Sequence, residues 1–221
     1  LPSWASLDIN SGLISGVPNS ITTANFTIRA TDSVGCTGTR PYTITPAPIT
    51  DFGDDPSFPS ASQTAHADIR VGTAATDAEA TNPTSGLATA DDITGTDDED
   101  LIMPFCTIGA SSTLSVPVTI NAAGLSGNTA RLNVFADWND DNDVLDANET
   151  LTAQTVGASG TFSFTLSPPL GISPGTKYLR VRITEGSTAP LFNGSAALKG
   201  EVEDYPIMVG DANCYTVILA N

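Results

Sequence analysis

Positive charge is scarce in this chain of 221 residues, which holds 8 Lys and Arg against 25 Asp and Glu and carries a formal net charge of -17. Nucleic-acid and anionic-membrane binders need the opposite sign, because their affinity comes from releasing cations condensed on phosphates. Neither is expected as a partner. His66 is the single histidine, so a zinc site needing a second imidazole cannot be assembled, and a packed loop histidine is expected rather than a catalytic one. Gly-x-Ser-x-Gly, His-Glu-x-x-His and Gly-Lys-Ser/Thr motifs are missing as well. Aromatic residues make up 6%, too few for the lined cleft in which paired carboxylates hydrolyse sugars. Trp4 and Trp138 are expected in the core. The reading is therefore non-catalytic. No run of about 18 apolar residues could span a bilayer, and no basic start followed by an apolar stretch marks a leader, so membrane insertion is not expected.

What is present favours strands. Apolar residues are 40% of the chain, enough for a core, while Gly 19, Pro 15 and Met 2 make a poor recipe for helices. Apolar and polar residues alternate in Phe26 to Thr31, Tyr42 to Ile44, Leu114 to Ile120, Arg131 to Trp138, Thr161 to Leu166 and Tyr178 to Ile183, as strands with one wet face require. Turn signals at Ser15-Gly16, Leu125 to Asn128, Ser167-Pro168-Pro169 and Ser173-Pro174-Gly175 separate them. An all-β, antiparallel sandwich is expected. Pro46-Ala47-Pro48-Ile49-Thr50 reads as a stiff linker, dividing the chain into residues 1–48, 49–210 and a tail, 211–221, whose Cys214 to Leu219 reads as one isolated strand.

The acids are concentrated, twelve of them between Asp51 and Asp100, six between Asp137 and Glu149, and three in Glu201 to Asp204. Carboxylates packed so closely repel one another unless cations or water intervene. Bound calcium and a solvated acidic loop are the two readings. The long stretch from Asp51 to Asp100 shows little periodicity of either kind, and a loop of that length in a compact domain needs something to hold it.

Asp137, Asn139, Asp141 and Asp143 place oxygen ligands at positions 1, 3, 5 and 7 of a loop that ends at Glu149, the spacing with which an EF-hand loop wraps one hard cation. Asn142 stands at position 6, tolerable because Asn accepts a left-handed backbone, and the closing acid falls at position 13. No helices flank this loop. Asp97, Asp98, Glu99 and Asp100 are the next candidates, together with Glu201, Glu203 and Asp204. In a strand, Glu201 and Glu203 point to one side and Asp204 to the other, so one cation could collect the two glutamates with a carboxylate of the long loop. Asp77, Glu79, Asp91 and Asp92 are weaker candidates. Cys106, in the apolar run Met103 to Cys106, reads as a buried thiol.

Two resemblances emerge. Leu1-Pro2, Leu7-Asp8-Ile9-Asn10-Ser11-Gly12-Leu13-Ile14-Ser15-Gly16-Val17-Pro18 and Phe26 to Gly38 resemble the second half of an immunoglobulin-like (cadherin-like) bacterial repeat. Asp51-Phe52-Gly53-Asp54, Asp77-Ala78-Glu79, Asp91-Asp92, Asp97 to Asp100, Asp137 to Asp141 and Gly200-Glu201-Val202-Glu203-Asp204-Tyr205 resemble the GEVED domain, over about 155 residues. These resemblances imply a GEVED-type β-sandwich without known catalysis, preceded by an incomplete Ig-like module, in a secreted or cell-surface bacterial protein. Asn213 to Leu219 looks like the opening strand of the same Ig-like repeat. In that repeat Cys36 and Cys214 stand at positions resembling a paired bridge, within one chain or between neighbouring copies. The expected role is a calcium-stabilised structural link in a surface protein or filament, with other copies of the chain as partners joined by strand addition. A carbohydrate- or surface-binding adhesin module recognising glycans, and an accessory domain of a secreted hydrolase, are the alternatives.

Overall fold

The computed structural model describes residues 1–16, 23–46, 50–74, 76, 78, 82–86, 88 and 100–211. The chain divides into two units, Leu1–Pro48 and Ile49–Asn221. The tail strand expected at Cys214 to Leu219 lies outside the described residues.

The first unit is two hairpins. Strands β1 (Ala5–Leu7) and β2 (Ile14–Gly16) pair antiparallel, as do β3 (Ala24–Thr31) and β4 (Thr37–Ile44). Each turn is closed by an aspartate. Asp8 Oδ1 accepts the Asn10 N–H at 2.8 Å, and Asp32 Oδ1 accepts those of Val34 and Cys36, both at 2.9 Å. Phe26 stacks on Tyr42 across the second hairpin, ring centres 5.9 Å apart. None of the described residues between 1 and 46 is buried. Trp4 is therefore only partly covered, contrary to the expectation that it is a core residue, because two separate hairpins enclose no interior.

The second unit is a sandwich. Its larger sheet runs in the order β11 (Gln154–Val156), β10 (Ala130–Asp137), β13 (Gly175–Glu185), β14 (Gly194–Gly210), β6 (Ala61–Thr64) and β5 (Thr50–Phe52), with β8 (Cys106–Thr107) also on β14. The smaller sheet is β12 (Gly160–Leu166), β9 (Ser112–Ile120) and β7 (Ile69–Val71). Pairing is antiparallel except where β14 meets β6 and β8 in parallel. The core lies between the sheets. Leu114, Val116 and Val118 of β9 and Phe164 and Leu166 of β12 face Leu132, Val134, Leu179, Val181, Ile183, Tyr205 and Ile207 of the larger sheet, with Cys106 buried among them as expected.

The stretch from Asp51 to Asp100 is not one long loop. It contributes β5, β6 and β7, strands too short for their alternation to stand out from the acidic residues around them. β14 is 17 residues long and buried on both faces over Gly200 to Tyr205. On the outer face of the larger sheet Phe58 and Phe192 meet edge to face at 4.9 Å, with Phe192 also against Phe135 of β10 at 5.5 Å.

Candidate functional site

The acidic turn after β10 is built by hydrogen bonds from its own backbone. Asp137, 3% exposed at the end of the strand, accepts three N–H groups: those of Asp140 (2.7 Å) and Asp141 (3.2 Å) on Oδ1, and that of Asn142 (2.9 Å) on Oδ2. Asp141 Oδ1 accepts from Asp143 N at 3.1 Å, and Asp143 Oδ1 from Leu145 N at 2.8 Å. This series of carboxylate-closed turns coils the chain tightly. Left-handed backbone appears at Asp140 (φ 62°), Asn142 (φ 68°) and Asn148 (φ 68°), residue types that tolerate it.

Glu149 closes the loop from beneath. It is 1% exposed, and its carboxylate accepts from Trp138 N at 3.1 Å and Asp146 N at 3.0 Å. Burial pushes its carboxyl above the ordinary range, against the lowering effect of those two N–H groups. Trp138 is fully buried under the loop, its indole N–H on Asn148 O at 2.9 Å. Asn139 Nδ2 donates to Asp141 Oδ2 at 2.9 Å and Asp146 Oδ2 at 2.7 Å. Lys177 of β13, almost fully buried, ion-pairs with Asp140 and ties the loop to the sheet. The structure thus brings Asp137, Asn139, Asp141, Asp143 and Glu149 into one loop.

The remaining sequence candidates are placed differently. Asp97, Asp98 and Glu99 lie outside the described residues, as do Asp77, Glu79, Asp91 and Asp92. Asp100 Oδ2 accepts from Thr73 N and Oγ1, both at 2.7 Å, and from Ala74 N at 3.1 Å. Glu201 and Glu203 share the core-facing side of β14, as strand alternation requires, and Asp204 the opposite side. Glu201, 0% exposed, accepts from Val71 N and Thr76 Oγ1. Asp204 is engaged by Arg180, with Nε to Oδ1 at 2.8 Å and NH2 to Oδ2 at 2.7 Å. Among the described residues no three His, Cys, Asp or Glu side chains converge in a ready-made metal cage.

That Arg180–Asp204 pair organises the outer face of the larger sheet. Both side chains have 0% exposure. Arg180 NH1 donates to Pro59 O (2.7 Å) and Phe192 O (3.0 Å), and the guanidinium carbon lies 5.1 Å from the Phe58 ring centre and 5.2 Å from that of Phe192. Arg182, two residues along, donates to the carbonyls of Leu191, Asn193, Ser62 and Gly194. Burial, then the neighbouring Arg180 charge, lowers its pKa to about 10. Sequence reasoning missed both arginines, since alternation with Leu179, Val181 and Ile183 reads equally well as a wet face. The available signal was Gly53: a Cβ there would stand 2.8 Å from Arg180 NH2 and Asp204 Oδ2.

Residues 131–208 match the family model described as GEVED domain. Residues 1–47 match that described as Putative Ig domain. Both resemblances read from the sequence are borne out. The GEVED match covers β10 to β14 and the acidic loop, while the expected resemblance began at Asp51. Both are β-sandwich modules of extracellular type and typically non-catalytic. The chain matches no curated protein. Among the described residues no helix is long and apolar enough to cross a membrane. Cys36 is an exposed free thiol, and its expected partner, Cys214, lies outside the described residues.

Proposed function

We propose that the chain is a non-catalytic, calcium-stabilised structural module of a secreted bacterial surface protein or extracellular filament, and that copies join head to tail by strand addition. The observation that carries the calcium reading is the coiled loop from Asp137 to Glu149. Three backbone N–H groups fix the Asp137 carboxylate, Asn142 supplies the left-handed position, and buried Glu149 closes the loop onto residue 138. Six acids within 13 residues cost free energy through mutual repulsion, and a hard cation with oxygen ligands removes that cost while ordering the loop.

Trp138 supplies the assay. Terbium replacing calcium in the loop would be excited through the buried indole, giving sensitised emission that excess calcium quenches. Asp141→Asn should weaken both effects at least tenfold. Absence of emission from a calcium-free, folded protein would refute the reading.

Joining is supported by the first unit, in which no described residue is buried and the two hairpins flank a groove of about 560 Å³ lined by Leu7, Ile14, Ile28 and Tyr42 among others. A strand entering that groove would satisfy an open edge by main-chain hydrogen bonds and cover apolar side chains. Asn213 to Leu219 of a neighbouring copy, with its apolar and β-branched content, is the strand we assign to it. Native mass measurement and electron microscopy test this, and a clean monomer at micromolar concentration with Cys214 reduced would sink it.

A further inference from the structure

A second concentration of buried negative charge lies outside the loop, where β5 leads into the segment before β6 and meets β14. Asp51, Asp54, Asp55 and Asp204 are 2%, 1%, 3% and 0% exposed. Two guanidinium groups stand on the same face, Arg180 bound to Asp204 and Arg182 directed at main-chain carbonyls. The other six Lys and Arg of the chain are residues 29, 40, 70, 131, 177 and 199, so the strap of residues 82–86 brings no positive charge.

Within this group Asp55 is distinctive. Its N–H donates to Asp204 Oδ2 at 3.0 Å, and its Oδ1 accepts from Ser57 N (2.8 Å) and Ser57 Oγ (2.6 Å). Its Oδ2 has no accessible surface and no hydrogen-bond donor. A buried carboxylate oxygen left in that state is destabilising unless a cation or a proton meets it. The strap passes close by, because Ser85 N donates to Asp54 O at 3.2 Å and Tyr178 Oη donates to Gly86 O at 2.7 Å. Asp55 and Asp140 both act on that Tyr178 hydroxyl, and burial followed by these two charges pushes its pKa up.

We propose that Asp55 Oδ2, together with the Asp54 carboxylate, forms a second hard divalent-cation site of calcium type beneath the strap 82–86. Calcium takes six to eight oxygens, so strap carbonyls and water would complete its shell. The chemistry fits a hard ion: the donors are carboxylates and carbonyls, without a thiolate or imidazole. Burial also pushes the Asp55 carboxyl above the ordinary range, ahead of the lowering hydrogen bonds from Ser57 and the repulsion from Asp204. The site binds the 51–55 segment and the strap to the sheet and does not depend on the loop at Asp137.

The test is calcium titration of the chelator-stripped full chain by calorimetry, comparing the parent with Asp55→Asn and Asp141→Asn. Asp55→Asn should lose one equivalent of calcium yet keep the terbium emission sensitised by Trp138. Stripped of metal, it should melt at or above the parent, since an unmet charge is gone, while gaining less on calcium addition. The parent's full number of equivalents in Asp55→Asn overturns the proposal, and so does the pattern expected of a simply protonated Asp55, in which calcium leaves both proteins equally. Should Asp141→Asn lose nothing while Asp55→Asn loses one equivalent, the loop reading fails and this one stands. If Asp55→Asn does not fold, terbium-soaked crystals of the parent decide by anomalous difference density: a peak about 2.3–2.6 Å from Asp55 Oδ2 supports the site, and its absence there overturns it.

Discussion

Removing the charge of Asp204 tests the buried network most directly. In Asp204→Asn, Arg180 keeps its positive charge at 0% exposure with two carbonyls and two aromatic faces around it, but loses its two charge-assisted bonds to the carboxylate. Breaking a buried pair from one side typically costs about 3–5 kcal/mol, because the surviving charge has already been stripped of water. Asn retains an acceptor for the Asp55 N–H, so the lower half of that range applies. For a domain of this size each kcal/mol shifts the melting midpoint by roughly 2–4 °C, which gives a fall of about 10 °C. Denaturant unfolding should show a lower midpoint at unchanged slope, the mark of lost stability without a change in surface exposed. The double replacement Arg180→Met with Asp204→Leu should recover much of the loss, since replacing both charges leaves neither stranded. A loss under about 1 kcal/mol in Asp204→Asn, or a double variant as unstable as the single one, would refute the assignment of Arg180 and Asp204 as mutually dependent.

Gly53→Ala should destabilise by about 1–3 kcal/mol, measured by the same denaturant curves, because its Cβ would stand 2.8 Å from both partners of that pair and 2.9 Å from Val202. Calcium at about a hundredfold its dissociation constant should add about 2.7 kcal/mol for each site filled, a rise in melting midpoint of roughly 5–10 °C per site that chelator reverses. In calcium-free protein, Asp55 and Glu149 have folded pKa values raised above 3.8 and 4.5, chiefly by burial, so they hold more protons folded than unfolded in the window above those values. Stability should therefore rise on acidification from pH 7 toward 5 and fall as pH climbs back through their folded pKa values, read by calorimetry. A midpoint that drops steadily over that range contradicts the burial of both groups. Amides of residues 24–44 should exchange with deuterium far faster than those of 130–137, since no described residue of the first unit is buried, whereas β10 is buried along nearly its whole length.

Much of the sandwich is legible from period alone. Leu114 to Ile120 and Thr161 to Leu166 alternate cleanly because each strand has one face on the core and one on water, and they became β9 and β12. The acidic loop was legible because spacing along a tight turn is a local property, and Asn142 took the left-handed conformation its position calls for. β5, β6 and β7 were not, as three or four residues cannot display a period, and β6 and β7 pair with β14 and β9, far along the chain. Trp4 was misplaced for a related reason: a tryptophan is buried only where surrounding elements close over it, and two hairpins that leave an open groove between them do not.

By itself, the order of residues determined the β class, the boundary region near Pro46 to Thr50 and the concentration of acids into three clusters. These are matters of composition and short-range spacing. Only the tertiary structure decided that Asp204 meets Arg180, that Arg182 reaches four carbonyls, and that Asp55 keeps one oxygen without a donor. Each depends on strands far apart in the chain being brought into register, and on water being driven from the space between them.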